Sequence, residues 1–416
     1  MIRVGMFGTF DIGNFGDLLF PIVAERKLAQ LSSIEMVRFS YLKKTAADWC
    51  YDVEPVETLP DVIGGLNLAM IGGGHLIHLN RRMAHGYRPE NPAIPHPLGF
   101  WWLPAVTAAA ANVPVAVHGV SSDAVLPHWA TPLLETFFGA SDYPTVRDEG
   151  TAARLSRYCP DGRTISIVPD SIFSIGDILK RGDPSPQFEE FCRRSELKAP
   201  YLIVQPSDAL WRRKASISYY LRQARARGWD VIELPIGAGI GNYTGFYKEH
   251  VTVRPTKWPE PMLLAEIIAN SEAVLGVSLH LSVVASCYGI PVYRPRYARS
   301  SKFVVLDDLP NIHFLEDEPP LQGRGETVPN LDLIDQYRAK LDEHWQRLVD
   351  LANRSNPPEP IKARGAWNQL CLTPEAFRQL RSRSDRWFEM KQAGMRQRQF
   401  LMHSVRRLRR SKATEC

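Results

Sequence analysis

The sequence GVSLHLSVVASCYGIPV, residues 276–292, has the pattern of a strand, a sharp turn and a helix. The apolar run AVLGVS predicts a buried strand that delivers Ser278 and His280 to a helix N-terminus. The small residues Ala285 and Ser286 continue that helix, and Gly289 before Pro291 stops it. A histidine there feels the positive end of the helix dipole, which disfavours the imidazolium. A neutral imidazole can take a proton as a general base or donate to a phosphate oxygen. His280 is therefore the acid/base candidate and Ser278 a substrate-binding candidate. The competing reading is a buried histidine bonded to a carbonyl.

A second set lies in the loop GTFDIGNFGD, residues 8–17. Gly8, Gly13 and Gly16 allow close backbone approach to a ligand, and a helix opens directly afterwards. Its free N–H groups favour anions. Asn14 and Asp17 stand where their side chains reach a hydroxyl, and Asp17 joins His280 as a catalytic candidate. A tight turn with an N-cap would read the same way.

Gly72, Gly73 and Gly74 end an apolar strand, and Gly73 and Gly74 are further binding candidates. His75, His78 and His85 follow, but no acid is placed with them, so no metal site is expected. VRDE, residues 146–149, offers Arg147 as a cation and Asp148 as an N-cap. Asp170, at the end of the strand in VPD, reads as a polar anchor between loops. Arg294 and Arg296, just past the strand IPVY, and Lys302 are the other cation candidates.

These residues all fall at the ends of short apolar strands that alternate with helices, which predicts parallel sheets covered on both faces. Ile2–Phe7, Glu35–Phe39, the run before Gly72, Val113–His118 and the strands in TVRDE and TISIV make one series. YLIVQPS, WDVIELPIG, AVLGVS and IPVYRP make a second. The polar stretch 176–199 separates them. The fold class expected is α/β: two Rossmann-like domains facing across a cleft, 1–180 and 181–325, with a helical basic extension over 326–416.

The chain has 416 residues, 44% of them hydrophobic and 23% charged, enough to bury sizeable cores. Its net charge of +5 is concentrated at the end. From residue 376 onward there are twelve Lys and Arg against three Asp and Glu, leaving about −4 on the rest. Six scattered cysteines form no C-x-x-C pair, so buried thiols in a reducing compartment are expected. Residues 91–122 carry no charge, but Pro97, Pro104 and Pro114 break the run into a helix, roughly Phe100–Ala111, and a strand, not a membrane span. The N-terminus does not read as a signal peptide. There is no P-loop and no D-x-D, and GAGIG at 237–241 fails as a dinucleotide fingerprint.

Taken in order, GNFGD, IGGGHLI, VRDEGTAARL, VPDSIF and GVSLHLSVVASCYGIPV resemble the polysaccharide pyruvyl transferase family over roughly residues 1–300. The resemblance implies a fold like the GT-B glycosyltransferases. It also implies transfer of pyruvate from phosphoenolpyruvate onto two hydroxyls of a sugar, as a ketal, with no other cofactor. Many members read S-R-L-H in the last motif, where the arginine holds the donor's anionic groups. Here the corresponding residues are Val277, Ser278, Leu279 and His280, so the histidine carries over and Ser278 takes the arginine's place. Arg147, Arg294, Arg296 and Lys302 would then neutralise the donor's phosphate and carboxylate, while Asn14 and Asp17 orient sugar hydroxyls.

The expected acceptor is a saccharide or lipid-linked oligosaccharide of surface polysaccharide synthesis. Two other readings stay open: a GT-B glycosyltransferase using a nucleotide sugar, and a non-catalytic binding protein on the same fold. In the tail, Arg396, Arg398, Arg406, Arg407, Arg409 and Arg410 interleave with Phe400, Leu401, Met402, Val405 and Leu408. That pattern suits the anionic inner face of a cell membrane, with no specific nucleic acid as partner, and places the protein in the cytoplasm. Packing of the tail on the acidic core is the alternative.

Overall fold

The computed structural model describes residues 1–79, 97–122, 126–127, 130–238, 250–296, 301–326, 331–354 and 358–371. The basic tail, His85 and most of GAGIG lie outside them. Two all-parallel sheets organise the chain. The first has the order β3-β2-β1-β4-β5-β6-β7, from β1 (Ile2–Phe7), β2 (Ile34–Ser40), β3 (Glu54–Pro55), β4 (Leu68–Gly72), β5 (Val115–Val120), β6 (Tyr143–Val146) and β7 (Ser166–Ile167). The second has the order β12-β11-β10-β8-β9, from β8 (Tyr201–Val204), β9 (Asp230–Glu233), β10 (Ala273–Leu275), β11 (Val292–Arg294) and β12 (Ile312–Phe314).

Each sheet reverses its winding once. The chain runs outward from β1 to β2, then returns to place β4 on the other side of β1. It repeats this with β8, β9 and β10. In open parallel sheets, the crevice beyond the strand ends at such a reversal is where ligands bind. The two reversals face each other. Phe15 N–H donates to Ile236 O at 3.0 Å, and Ala238 N–H donates to Gly13 O at 2.7 Å, so the loop after β1 is stitched to the loop after β9.

Helix α1 (Phe15–Leu31) lies at this seam. The side chain of Asn14 caps it by accepting from Gly16 N–H, which starts the helix three residues before Leu18, where its apolar pattern begins. Phe15, Leu18, Leu19, Phe20, Val23, Ala24 and Leu28 are all buried. They belong to one apolar core that also contains Ile203 of β8, Leu264 of α10 (Pro261–Ala269) and Val284 of α11 (Leu279–Cys287). The two units are therefore joined by a shared hydrophobic core at the base of the seam.

The uncharged segment ends as α3 (Leu98–Ala110) followed by β5, and no described helix is long and apolar enough to cross a membrane. The polar stretch between the sheets contains α7 (Pro186–Ser195), capped by Ser185, where no element was expected. After the second sheet the chain returns to the first. Helix α12 (Asp332–Asn353) lies against α1, where Lys27 Nζ bonds Asp342 at 2.8 Å and Asp177 at 3.0 Å. Helix α13 (Pro360–Cys371) packs on α3. Cys50, Cys159, Cys192 and Cys287 are free thiols.

Candidate functional site

The strand β10 ends at Leu275, and Ser278 caps α11 by accepting from Leu281 N–H at 3.5 Å. The turn between them is held from the neighbouring strand end. Gln205, directly after β8, accepts from Val277 N–H at 2.8 Å and Ser278 N–H at 2.9 Å. This fixes His280 in the first turn of α11, aimed across the seam at α1. The imidazole lies directly on Gly16: a Cβ there would stand 1.6 Å from His280 Nδ1. Gly16 therefore lacks a side chain because the ring occupies that space. Gly13 is glycine for a similar reason, since a Cβ would fall 2.5 Å from that of Ala238. Phe20 meets the imidazole edge to face at 5.2 Å between centroids.

His280 Nε2 lies 3.6 Å from Asp170 Oδ2, and Arg147 Nη1 reaches the same oxygen at 3.4 Å. Asp170 is 1% exposed and Arg147 6% exposed. The other carboxylate oxygen, Oδ1, accepts from Ile172 N–H at 3.1 Å. Burial alone would raise the pKa of Asp170. His280, Arg147 and the Ile172 amide together outweigh it and hold the carboxyl below its ordinary value. Asp170 is thus an anion locked between a cation and an imidazole. His280 Nε2 is buried, faces Asp170 at a distance too long for a hydrogen bond, and has no other hydrogen-bond partner among the described residues.

Asp17 completes the cluster from the first turn of α1. Burial pushes its pKa up to about 6, against the opposing pull of His280, a hydrogen bond from Thr9, and Arg147. A carboxyl that ionises near neutrality can give or take a proton at the working pH. Gly74, at φ +86°, brings the end of β4 beside it; a Cβ there would sit 3.4 Å from Asp17 Oδ1. Gly73, at φ +89°, makes room for Phe20.

The sign of the Asp17 effect on stability follows from its raised value. The folded state prefers the neutral acid, so this contribution is complete below the unfolded value of about 3.9 and lost as pH rises through about 6. Asp17→Asn should therefore stabilise the protein at pH 8 by about 1–3 kcal/mol, and the gain should vanish below about pH 4. Urea unfolding of both proteins at the two pH values measures it; equal midpoints at pH 8 would contradict the burial argument.

The remaining candidates are spread more widely. Arg294 is buried at the end of β11, its guanidinium 4.4 Å over the Phe303 ring. Arg296 is exposed, paired with Asp317 at 2.7 Å and stacked 4.0 Å over Phe314. Lys302 lies in a short 3-10 helix, Ser301–Leu306, and its side chain is outside the described structure. His75 Nδ1 meets Ser121 Oγ at 2.9 Å and its ring stacks on His78. No group of three or more metal-ligating side chains occurs among the described residues. Asp148 is an N-cap, accepting from Thr151 N–H at 2.7 Å.

Two residues central to this geometry were not candidates from sequence. Asp170 read only as an anchor between loops, and nothing local ties it to His280, 110 residues away. Gln205 sits in an ordinary strand-end Gln-Pro. Gln205 follows β8 at the winding reversal of the second sheet, a signal that needs the strand order, whereas Asp170 follows the edge strand β7 and is found only from the packing.

The sequence model of the family described as Polysaccharide pyruvyl transferase matches residues 14–294, a span that holds Asn14, His280 and Arg294. No curated protein matches the chain. Among solved structures, the UDP-N-acetylglucosamine 2-epimerase from Rickettsia bellii is similar with a TM-score of 0.52 at 10% identity, covering 84% of this chain and 96% of that one. The UDP-GlcNAc 2-epimerase from Methanocaldococcus jannaschii gives 0.49 at 10% identity, covering 86% and 95%. At such identity the likeness is one of fold: two parallel α/β units in the GT-B-like arrangement.

Proposed function

The chain belongs to the polysaccharide pyruvyl transferase family, and from that premise we propose that it transfers pyruvate from phosphoenolpyruvate to two hydroxyls of a sugar, forming a ketal. The observation that carries this reading is His280, set on Gly16 at the meeting of the two winding reversals, with Asp170 behind it and Asp17 beside it.

Ketal formation begins with a proton added to the donor's methylene carbon, which leaves an oxocarbenium-like centre. One sugar hydroxyl attacks it, phosphate leaves, and a second hydroxyl closes the ring. His280 supplies the proton in this scheme, and Asp170 stabilises the imidazolium form that must precede the transfer. Asp17 and Asn14 hold the acceptor, Asp17 in its anionic form drawing a hydroxyl proton. The donor's negative charge meets the N-termini of α1 and α11, which converge here, together with Arg147 and Arg294. Ser278, in place of an arginine, leaves that work to the helix ends and to cations from other strands. The acceptor in this reading is a saccharide, and the basic tail would bring the enzyme to a lipid-linked form of it.

A ligand that binds only the folded protein stabilises it by about 2.7 kcal/mol at 100 times Kd. Phosphoenolpyruvate should therefore raise the melting temperature by several degrees, and Arg294→Ala should reduce that shift. A scanning fluorimetry comparison with UDP- and GDP-sugars tests the donor. A shift with a nucleotide sugar and none with phosphoenolpyruvate would favour glycosyl transfer.

A further inference from the structure

Beside residues 169–174, the segment that carries Asp170, lies a row of side chains that the reaction scheme leaves unused. His118, near the end of β5, is 1% exposed, and its Nδ1 meets His344 Nε2 of α12 at 2.8 Å. His344, equally buried, reaches the Tyr143 hydroxyl through Nδ1 at 3.1 Å. Tyr143, at the start of β6, is half-buried, with the Arg347 guanidinium 6.0 Å over its ring. At the inner end, His118 Nε2 is buried without a hydrogen bond among the described residues. Gly119, next to His118, lies against the segment that carries Asp170, since a Cβ there would stand 3.9 Å from Pro169 O, and Asp170 is the carboxylate that faces His280.

We propose that His118, His344 and Tyr143 form a buried proton relay that connects the His280–Asp170 site to solvent. This rests on the pyruvyl-transfer reading of the site and adds three residues to it, one of which, His344, lies beyond the span matched by the family model.

Three features support a relay over a simple packing contact. The groups are in series, His344 bonded through both nitrogens and His118 through Nδ1, so a concerted tautomer shift moves one proton along the row and onto or off His118 Nε2. With Tyr143 donating to His344, and His344 Nε2–H donating to His118, the inner nitrogen of His118 carries a proton; with the order reversed it is bare. Burial also keeps both rings neutral: His118 is held down to about 4, and His344 well below its ordinary value by burial and by His118. A neutral imidazole can both give and take a proton, whereas a trapped imidazolium can only give. The charged groups around the row are Asp170 at its inner end, and Arg347 and Glu343 at Tyr143; Trp345 closes its side, its N–H bonded to Ser174 Oγ at 3.1 Å.

The reaction supplies a reason for such a path. One C–H bond, two C–O bonds and one O–H bond on phosphate form, while the donor's C=C π bond, two hydroxyl O–H bonds and the C–O bond to phosphate break. The two hydroxyl protons balance the one placed on carbon and the one carried off by hydrogen phosphate. His280 gives its proton before the hydroxyls lose theirs, and a relay would let that proton be replaced while the substrates fill the seam.

The full-length protein, labelled with 15N-histidine, tests this directly. In the wild type the ring nitrogens of His118 and His344 should be neutral at pH 7 and averaged between tautomers. In Tyr143→Phe each ring should settle in one tautomer, and kcat for phosphate release from phosphoenolpyruvate should fall about tenfold or more with KM unchanged. His344→Gln separates a relay from a strut, because glutamine can bond at both ends but cannot tautomerise: a relay predicts that kcat stays low at an unchanged melting temperature. Rings fixed in single tautomers in the wild type, or full activity in His344→Gln and Tyr143→Phe, would overturn the proposal. If phosphoenolpyruvate is not the donor, the wild type releases no phosphate, while the spectra still decide whether the row conducts.

Discussion

His280→Ala should lose transfer by about 10²–10⁴-fold while remaining folded, the range typical for removal of one general acid/base. Both halves of that expectation follow from the geometry. His280 Nε2 makes no hydrogen bond among the described residues, so its loss orphans no donor. Asp170 keeps Arg147 and the Ile172 amide as partners when the imidazole is gone. The ring's place on Gly16 becomes a gap at the seam, a modest cost beside the shared core of α1, α10 and α11. Steady-state phosphate release and circular dichroism, measured on the same preparation, check the two halves. Activity within threefold of wild type would remove His280 from the chemistry. A variant that fails to fold would make it a core histidine.

Asp170→Asn should be the more damaging change to stability. It leaves Arg147, 6% exposed, without its carboxylate, and removing one partner of a buried pair typically costs about 3–5 kcal/mol. The pH dependence has a definite sign. The folded pKa of Asp170 lies below its ordinary value, so the carboxylate's contribution is complete above the unfolded value of about 3.9 and is lost as pH falls from there through the folded value. The gap between wild type and variant should therefore be full at pH 7 and narrow below about pH 4. Denaturant melts across that range measure it. A gap that is constant with pH would mean that packing at Asp170, not its charge, carries the effect. Activity should fall too, because an amide cannot support the imidazolium form of His280.

Much of this site could be read before any strand order was known, because its parts are local. A glycine loop ahead of a helix, a glycine triplet at a strand end and a histidine in the first turn of a helix each follow from turn and cap chemistry. Asn14 and Ser278 are the caps that chemistry predicts. The short edge strands β3 and β12 were not legible, since they are only partly buried and no long apolar run marks them. Helix α7 was hidden by its exposed, charged face. What joins the parts is long-range. Gly16 and His280 are 264 residues apart, and Gly16 has no side chain because a ring from helix α11 of the other unit fills that space. His118 and His344 are 226 residues apart, and no spacing rule connects them. Arg296 shows the converse: its place beyond a strand suggested the seam, but Asp317, Glu316 and Phe314 engage it on the exposed surface.

The measurement that tests the central claim most directly is incubation of the purified protein with 13C-labelled phosphoenolpyruvate and a panel of saccharide acceptors, followed by phosphate assay and mass spectrometry. Pyruvyl transfer predicts inorganic phosphate released in step with a saccharide that has gained a labelled pyruvyl ketal, and no product from the His280→Ala protein. Labelled phosphoenolpyruvate left intact, with a nucleotide sugar consumed and its nucleotide released in the parallel reaction, would contradict it.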